Sequence, residues 1–157
     1  MPSSLPVEFR AVVDGIVSRD PSHTSDWRLE QKNDKCELFI PKLSGRGFDI
    51  TVVADEDEVT VYSEHVAHQH FTSEGNHYET SQLAMGFVRD LLSPAMRVRV
   101  TKKGDKAVRG DFEMWREGAW HRETTTAVIG IPKFRRKIVE YYVNERLPKR
   151  DLPTGSE

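Results

Sequence analysis

Three of the chain's six histidines, His65, His68 and His70, fall in one short run with Glu64 beside them. On an extended strand, side chains alternate between faces, so His68 and His70 point the same way. Two imidazoles so placed can share a divalent metal, with His65, His77 or Glu64 adding ligands after a bend. Zinc or iron usually takes three protein ligands, each imidazole held by an outer hydrogen-bond acceptor, and the spacing secures only two. The same pair can serve as a histidine–carboxylate acid–base couple, with His68 or His70 paired to Glu64 or Glu79. The plainer alternative is the solvated polar face of an edge strand next to the acidic turn at 55–58. No cofactor is expected on balance, and a divalent metal is the alternative.

Nucleophilic chemistry has less to stand on. The single cysteine, Cys36, shares the phase of Leu38 and Ile40 in an alternating run and reads as a small core residue. It excludes an internal disulfide and any cysteine-based metal motif. There is no Gly-x-Ser-x-Gly elbow, no phosphate-binding glycine loop and no His-Glu-x-x-His run.

Charge is patterned locally. Residues 97–109 hold Arg97, Arg99, Lys102, Lys103, Lys106 and Arg109 against Asp105 alone, and Lys133, Arg135, Arg136 and Lys137 follow. With Trp115 and Trp120 as anchoring rings, Arg97, Arg99, Arg135 and Arg136 form a candidate interaction surface for an acidic protein, another anion or nucleic acid. The formal charge of −2 gives nucleic acid no global support.

The elements that must position these residues follow from periodicity. Leu5, Phe9, Val12, Val13, Ile16 and Val17 recur at helical spacing, and Asp20-Pro21 ends that helix. Strands follow from Trp27, through 36–40, through Phe48, Ile50, Val52 and Ala54, and from Val59 onward without a break to Phe71. Leu83, Ala84, Phe87, Val88, Leu91 and Leu92 form the stripe of a second helix, with an Asn76/Glu79 capping box at its start. Gly86 lies inside it at about 1 kcal/mol relative to alanine, which suggests close approach to a strand. A three-stranded meander spans 96–128, turning at Gly104 and Gly118, so that Trp115 and Trp120 meet across a hairpin end. Pro132 then opens a third helix, with Ile131, Phe134, Ile138 and Tyr141 or Tyr142 on its buried side.

A chain of 157 residues with 37% apolar and 31% charged side chains can close one core. The expected fold is a two-layer α+β domain over 1–147, followed by a disordered tail at 148–157. It has a mostly antiparallel sheet of about seven strands and three helices in the order α-ββββ-α-βββ-α. That order is similar to that of small bacterial secretion chaperones and their relatives, which are dimeric binding proteins; the likeness is one of element order and transfers no residue roles. The first residues lack a basic segment followed by an apolar run, and no window reaches the roughly 18 apolar residues of a membrane span, so a cytoplasmic location is expected. If helices cover one sheet face, Phe39, Tyr62, Trp115 and Trp120 remain on the other, and such patches mark interfaces. The function expected is therefore a non-catalytic binding or protein-interaction domain. It is expected to act as a homodimer, its partner a second copy of the chain, another protein, or both; nucleic acid and membrane are not expected. A metal-dependent or His/Glu enzyme centred on 65–70 is the alternative, and an anion or nucleic-acid binder using 97–109 and a helix at 133–137 is the third.

Overall fold

The computed structural model describes residues 3–72, 74–128 and 135–147. Two helices and nine strands are present among them: α1 (Leu5–Arg19), β1 (Arg28–Lys32), β2 (Lys35–Ile40), β3 (Ile50–Ala54), β4 (Glu58–Ser63), β5 (His68–Thr72), α2 (His77–Leu91), β6 (Met96–Lys103), β7 (Lys106–Arg116), β8 (Ala119–Ala127) and β9 (Lys137–Tyr142). The α+β class and antiparallel pairing are as the periodicity predicts. The single sheet of seven strands is not: β1 to β5 form one meander, and a second sheet runs in the order β8-β7-β6-β9.

Both differences in strand count have local causes. The strand expected to run unbroken from Val59 to Phe71 folds back at 64–67, where the Ser63 backbone and hydroxyl both donate to the Ala67 carbonyl. Tyr62 then pairs with His68, and the histidine run becomes an edge strand of its own. The expected third helix is a strand where it is described. Ile138, Tyr141 and Tyr142 lie on β9, because the β6 edge offers six paired positions to a segment rich in branched and aromatic residues. Ile131, Pro132, Lys133 and Phe134 lie outside the described residues, as does 148–157.

Alternation holds where one face is buried. Cys36, Leu38, Ile40, Ile50, Val52, Ala54, Val59 and Val61 line the inner face of the first sheet, each no more than 1% exposed. The helices cover this face. Leu5, Phe9 and Val13 of α1 are buried, as are Ala84, Met85, Val88 and Leu91 of α2. Leu83, placed on the buried stripe by its spacing, is instead 65% exposed. Asn76 caps α2, its Oδ1 accepting from the Glu79 N–H at 3.0 Å.

Three features join the two sheets. Phe87 of α2 packs between Phe71 of β5 and Phe112 of β7, with ring centroids 5.6 and 5.2 Å apart. Gly110 lies so close to the 64–67 bend that a Cβ there would sit 2.4 Å from the Ala67 nitrogen. Residues 143–147 then strap the assembly. Asn144 exchanges two 3.0 Å hydrogen bonds with the Phe48 backbone, and the Val143 N–H donates to the Arg46 carbonyl. Arg146 and Leu147 donate from their backbones to the Leu92 carbonyl, while the Arg146 guanidinium reaches the Pro41 and His23 carbonyls and Asp26. No helix among the described residues is long and apolar enough to cross a membrane.

Candidate functional site

The candidate histidines occupy three separate places. His68 and His70 do share the outer face of β5, their rings 4.9 Å apart and edge-on. His70 Nδ1 lies 3.0 Å from both Glu58 Oε1 and Thr60 Oγ1, and the Thr60 hydroxyl donates to the same carboxylate oxygen. The carboxylate beside the pair is therefore Glu58, across the β4–β5 ladder, and neither Glu64 nor Glu79. Tyr62 leans on His68 at 5.6 Å. His77 opens α2 and donates from Nδ1 to the Ser3 carbonyl at 2.8 Å. Among the described residues, no three histidine, cysteine, aspartate or glutamate side chains are grouped to hold one metal ion.

His65 lies on the other side of the bend, stacked on Tyr142 of β9 at 3.9 Å. Charged pairs flank it. Lys42 Nζ reaches both Glu64 oxygens at 2.9 and 3.0 Å, and Lys102 Nζ meets Glu140 at 2.7 Å, with the Tyr142 hydroxyl donating to the same carboxylate. Burial holds the His65 imidazole below its ordinary value, and its buried Nε2 has no hydrogen-bond partner among the described residues. The hydrogen bond from Lys102 lowers Glu140 and raises Lys102 itself. The Glu140 hydrogen bond raises the Tyr142 phenol, and Glu64 does the same for Lys42. Chemically this is a neutral ring clamped between two ion pairs at the seam of the two sheets. Its geometry is that of a joint.

The second sheet gathers what the sequence scatters. Its inner face, with Met96, Val98, Val100 and Phe112, joins the core. Its outer face carries Arg97 and Arg99 on β6, Arg109, Asp111, Glu113 and Trp115 on β7, Trp120 and Arg122 on β8, and Tyr141 on β9. The Arg97 guanidinium lies 4.1 Å from the ring centroids of both Trp120 and Tyr141, and its Nε donates to Glu113 Oε2 at 2.6 Å. Trp115 and Trp120 meet edge-to-face at 5.4 Å, as their positions about the Gly118 turn predict. Asp111 is fully buried beneath this layer. Its Oδ1 receives Arg109 Nε at 3.1 Å and the Thr125 hydroxyl at 2.6 Å, and lies 3.4 Å from Arg122 Nε. Asp111 Oδ2 and Arg99 Nε are buried without partners among the described residues.

Four arginines against Asp111 and Glu113 leave this face with an excess of two positive charges. At the turn end of the same sheet, the Gly104 N–H donates to the Arg136 carbonyl, and the Arg135 side chain lies over Gly104. Arg135 and Arg136 are thus at the Lys103–Lys106 turn, and neither belongs to a helix. Phe39 and Tyr62, expected on one surface with the tryptophans, lie on the outer face of the other sheet.

Arg122, Asp111 and Glu113 escaped the sequence reading, and Tyr141, which the spacing placed with Tyr142 as an alternative on the buried side of a helix, lies exposed on β9 instead. Hairpin pairing about Gly118 sets Arg122 opposite Glu113 and was available from the sequence. The pairing of Arg97 with Glu113 was not, because it depends on a bulge between Thr101 and Lys102. No protein-family model matches the chain, and no curated protein or solved structure is significantly similar to it.

Proposed function

We propose that this protein is a non-catalytic protein-interaction domain whose binding face is the outer side of the β8-β7-β6-β9 sheet, and that its partner presents an acidic surface. The stacking of Arg97 between Trp120 and Tyr141 carries this reading. Tryptophan, tyrosine and arginine are the residues in which interface energy concentrates, and rigid rings lose little conformational freedom on binding. Here they are already held in place, so ordering them again on contact adds little unfavourable entropy. The excess positive charge selects the partner's sign. Two copies meeting through this same face would set arginine against arginine, which disfavours a symmetric dimer there. The partner is thus a different protein, or a different face of a second copy.

Titration with poly-L-glutamate, followed by tryptophan fluorescence, tests the reading. Saturable binding that weakens with added salt is expected, with Arg122→Glu reducing affinity by about tenfold or more. Trp120→Ala is expected to lose binding while the fold is retained. No saturable response, or an unchanged one in Arg122→Glu, overturns the proposal. Single-stranded DNA binding more tightly than poly-L-glutamate would reassign the face to nucleic acid.

A further inference from the structure

The outer face of β5 carries a second polar cluster, apart from the arginine face. His68 and His70 stand opposite Tyr62 and Thr60 across the β4–β5 ladder. On its other side the strand is tied to β8: the His68 N–H lies 3.4 Å from the Thr126 hydroxyl, and the Thr124 hydroxyl donates to the Gln69 side chain. Ligands carried on a tethered strand keep their spacing better than ligands on a loop.

Among the described residues, the ring hydrogen bonds of both histidines run through Nδ1. That of His70 meets Glu58 Oε1 and Thr60 Oγ1 at 3.0 Å, and that of His68 lies 3.4 Å from the Val66 carbonyl and the Thr126 hydroxyl. A carboxylate or backbone carbonyl on one ring nitrogen is what fixes the tautomer of a metal-binding imidazole, leaving the other nitrogen as the ligand. Both rings therefore keep Nε2 for that role, His68 half-buried beside Tyr62 and His70 with 47% of its side chain exposed. The spacing of the rings fits a shared ion. Two imidazoles bound at about 2.0–2.1 Å, roughly at right angles about the metal, put their ring centroids about 4.5–5 Å apart. The observed separation is 4.9 Å, with the ring planes perpendicular.

We propose that His68 and His70 bind one divalent transition-metal ion through their Nε2 atoms, copper(II) above the others, with Glu58 as the positioning residue behind His70. One chelating pair falls short of the three or four protein ligands of a zinc site, and no group of three is present among the described residues. Copper(II) has the highest affinity of the series for nitrogen and accepts square arrangements, so a pair suffices, with water or a small ligand in the remaining positions. Magnesium and calcium take oxygen ligands and are excluded by the same chemistry. This site is separate from the arginine face and from the function proposed for it.

Copper(II) iminodiacetate is the probe, because the tridentate chelator leaves room for a pair of imidazoles. Calorimetric titration is expected to show a single equivalent bound, and electron spin-echo spectra to show couplings from a pair of imidazoles on each copper. His68→Gln and His70→Gln should each weaken binding about tenfold or more and reduce the spectrum to a single imidazole, with the melting temperature unchanged. Glu58→Gln should keep both imidazoles on the metal and weaken binding about tenfold, the smaller effect of losing an outer acceptor. His121→Gln, at an exposed imidazole on β8, should change neither readout. A single-imidazole spectrum in the unaltered protein, full affinity in either His68→Gln or His70→Gln, or no loss in Glu58→Gln overturns the proposal. Binding that falls in His121→Gln would also overturn it, and would place the ion on β8.

Discussion

Asn144 acts as a two-atom substitute for a strand. It is 3% exposed, and its Oδ1 accepts from the Phe48 N–H while its Nδ2 donates to the Phe48 carbonyl, both at 3.0 Å. Asn144→Ala removes both bonds and leaves two buried backbone groups without partners. Each orphaned group costs about 1–3 kcal/mol. The upper sum assumes that no water enters, and the space vacated by the amide beside Gly47 admits some relief. A loss of about 3 kcal/mol is therefore expected, a large part of the roughly 5–15 kcal/mol that holds a domain folded. Urea unfolding at neutral pH measures it as a lower midpoint at unchanged slope. Asn144→Asp sharpens the test. One carboxylate oxygen can still accept from Phe48, but the other faces the Phe48 carbonyl, so ionisation is disfavoured and the folded pKa rises above the ordinary value of about 3.9. The sign follows: the penalty is full above the raised folded value and fades as pH falls toward the unfolded one, where the protonated acid donates in place of the amide. A loss under about 0.5 kcal/mol in Asn144→Ala, or a penalty in Asn144→Asp that does not shrink in acid, would refute the bidentate role.

Three other outcomes are expected. Gly110→Ala drives a methyl group against the Ala67 backbone, and overpacking of that kind costs about 1–3 kcal/mol by urea unfolding. His65 is held below 6.5 by burial, so the folded state resists its protonation; stability is expected to fall as pH drops below 6.5 toward the lowered folded value, and His65→Phe, which keeps the stack on Tyr142, should flatten that part of the profile. Asn76→Ala removes the α2 cap and is expected to lower stability by about 1 kcal/mol, with Asn76→Ser retaining most of it.

The parts of the fold that could be read in advance are those set by local rules. The Asn33 and Gly118 turns, the alternation of Cys36, Leu38 and Ile40, and the Trp115–Trp120 contact all follow from spacing a few residues long. What could not be read depends on partners far along the chain. Residues 137–142 have apolar positions compatible with either period, and the free edge of β6 decides for strand. Leu83 fits the helical stripe, yet it stays exposed, which its spacing alone could not tell. The arginine face shows the limit most clearly. A register counted straight from the Lys103–Lys106 turn would set Arg97 opposite Phe112 and Arg99 opposite Gly110. One extra residue in the ladder brings Arg97 opposite Glu113 and Arg99 opposite Asp111, so that both arginines face an acidic position across the ladder. The histidine pair was legible because period two is robust. Its neighbour Glu58 was not, because the fold-back at 64–67 could not be foreseen.

The strap at 143–147 also fixes when the molecule can be finished. Its contacts reach back about a hundred residues, to His23, Asp26, Pro41, Arg46 and Phe48. A ribosome releasing the chain N-terminal part first exposes both helices and nine strands before these anchors exist. The junction after β2 must wait, its Phe48 amide answered only by water. A nascent chain stalled short of residue 144 would therefore be loose at that junction, where proteases cut first, and would become resistant within a few residues of further synthesis.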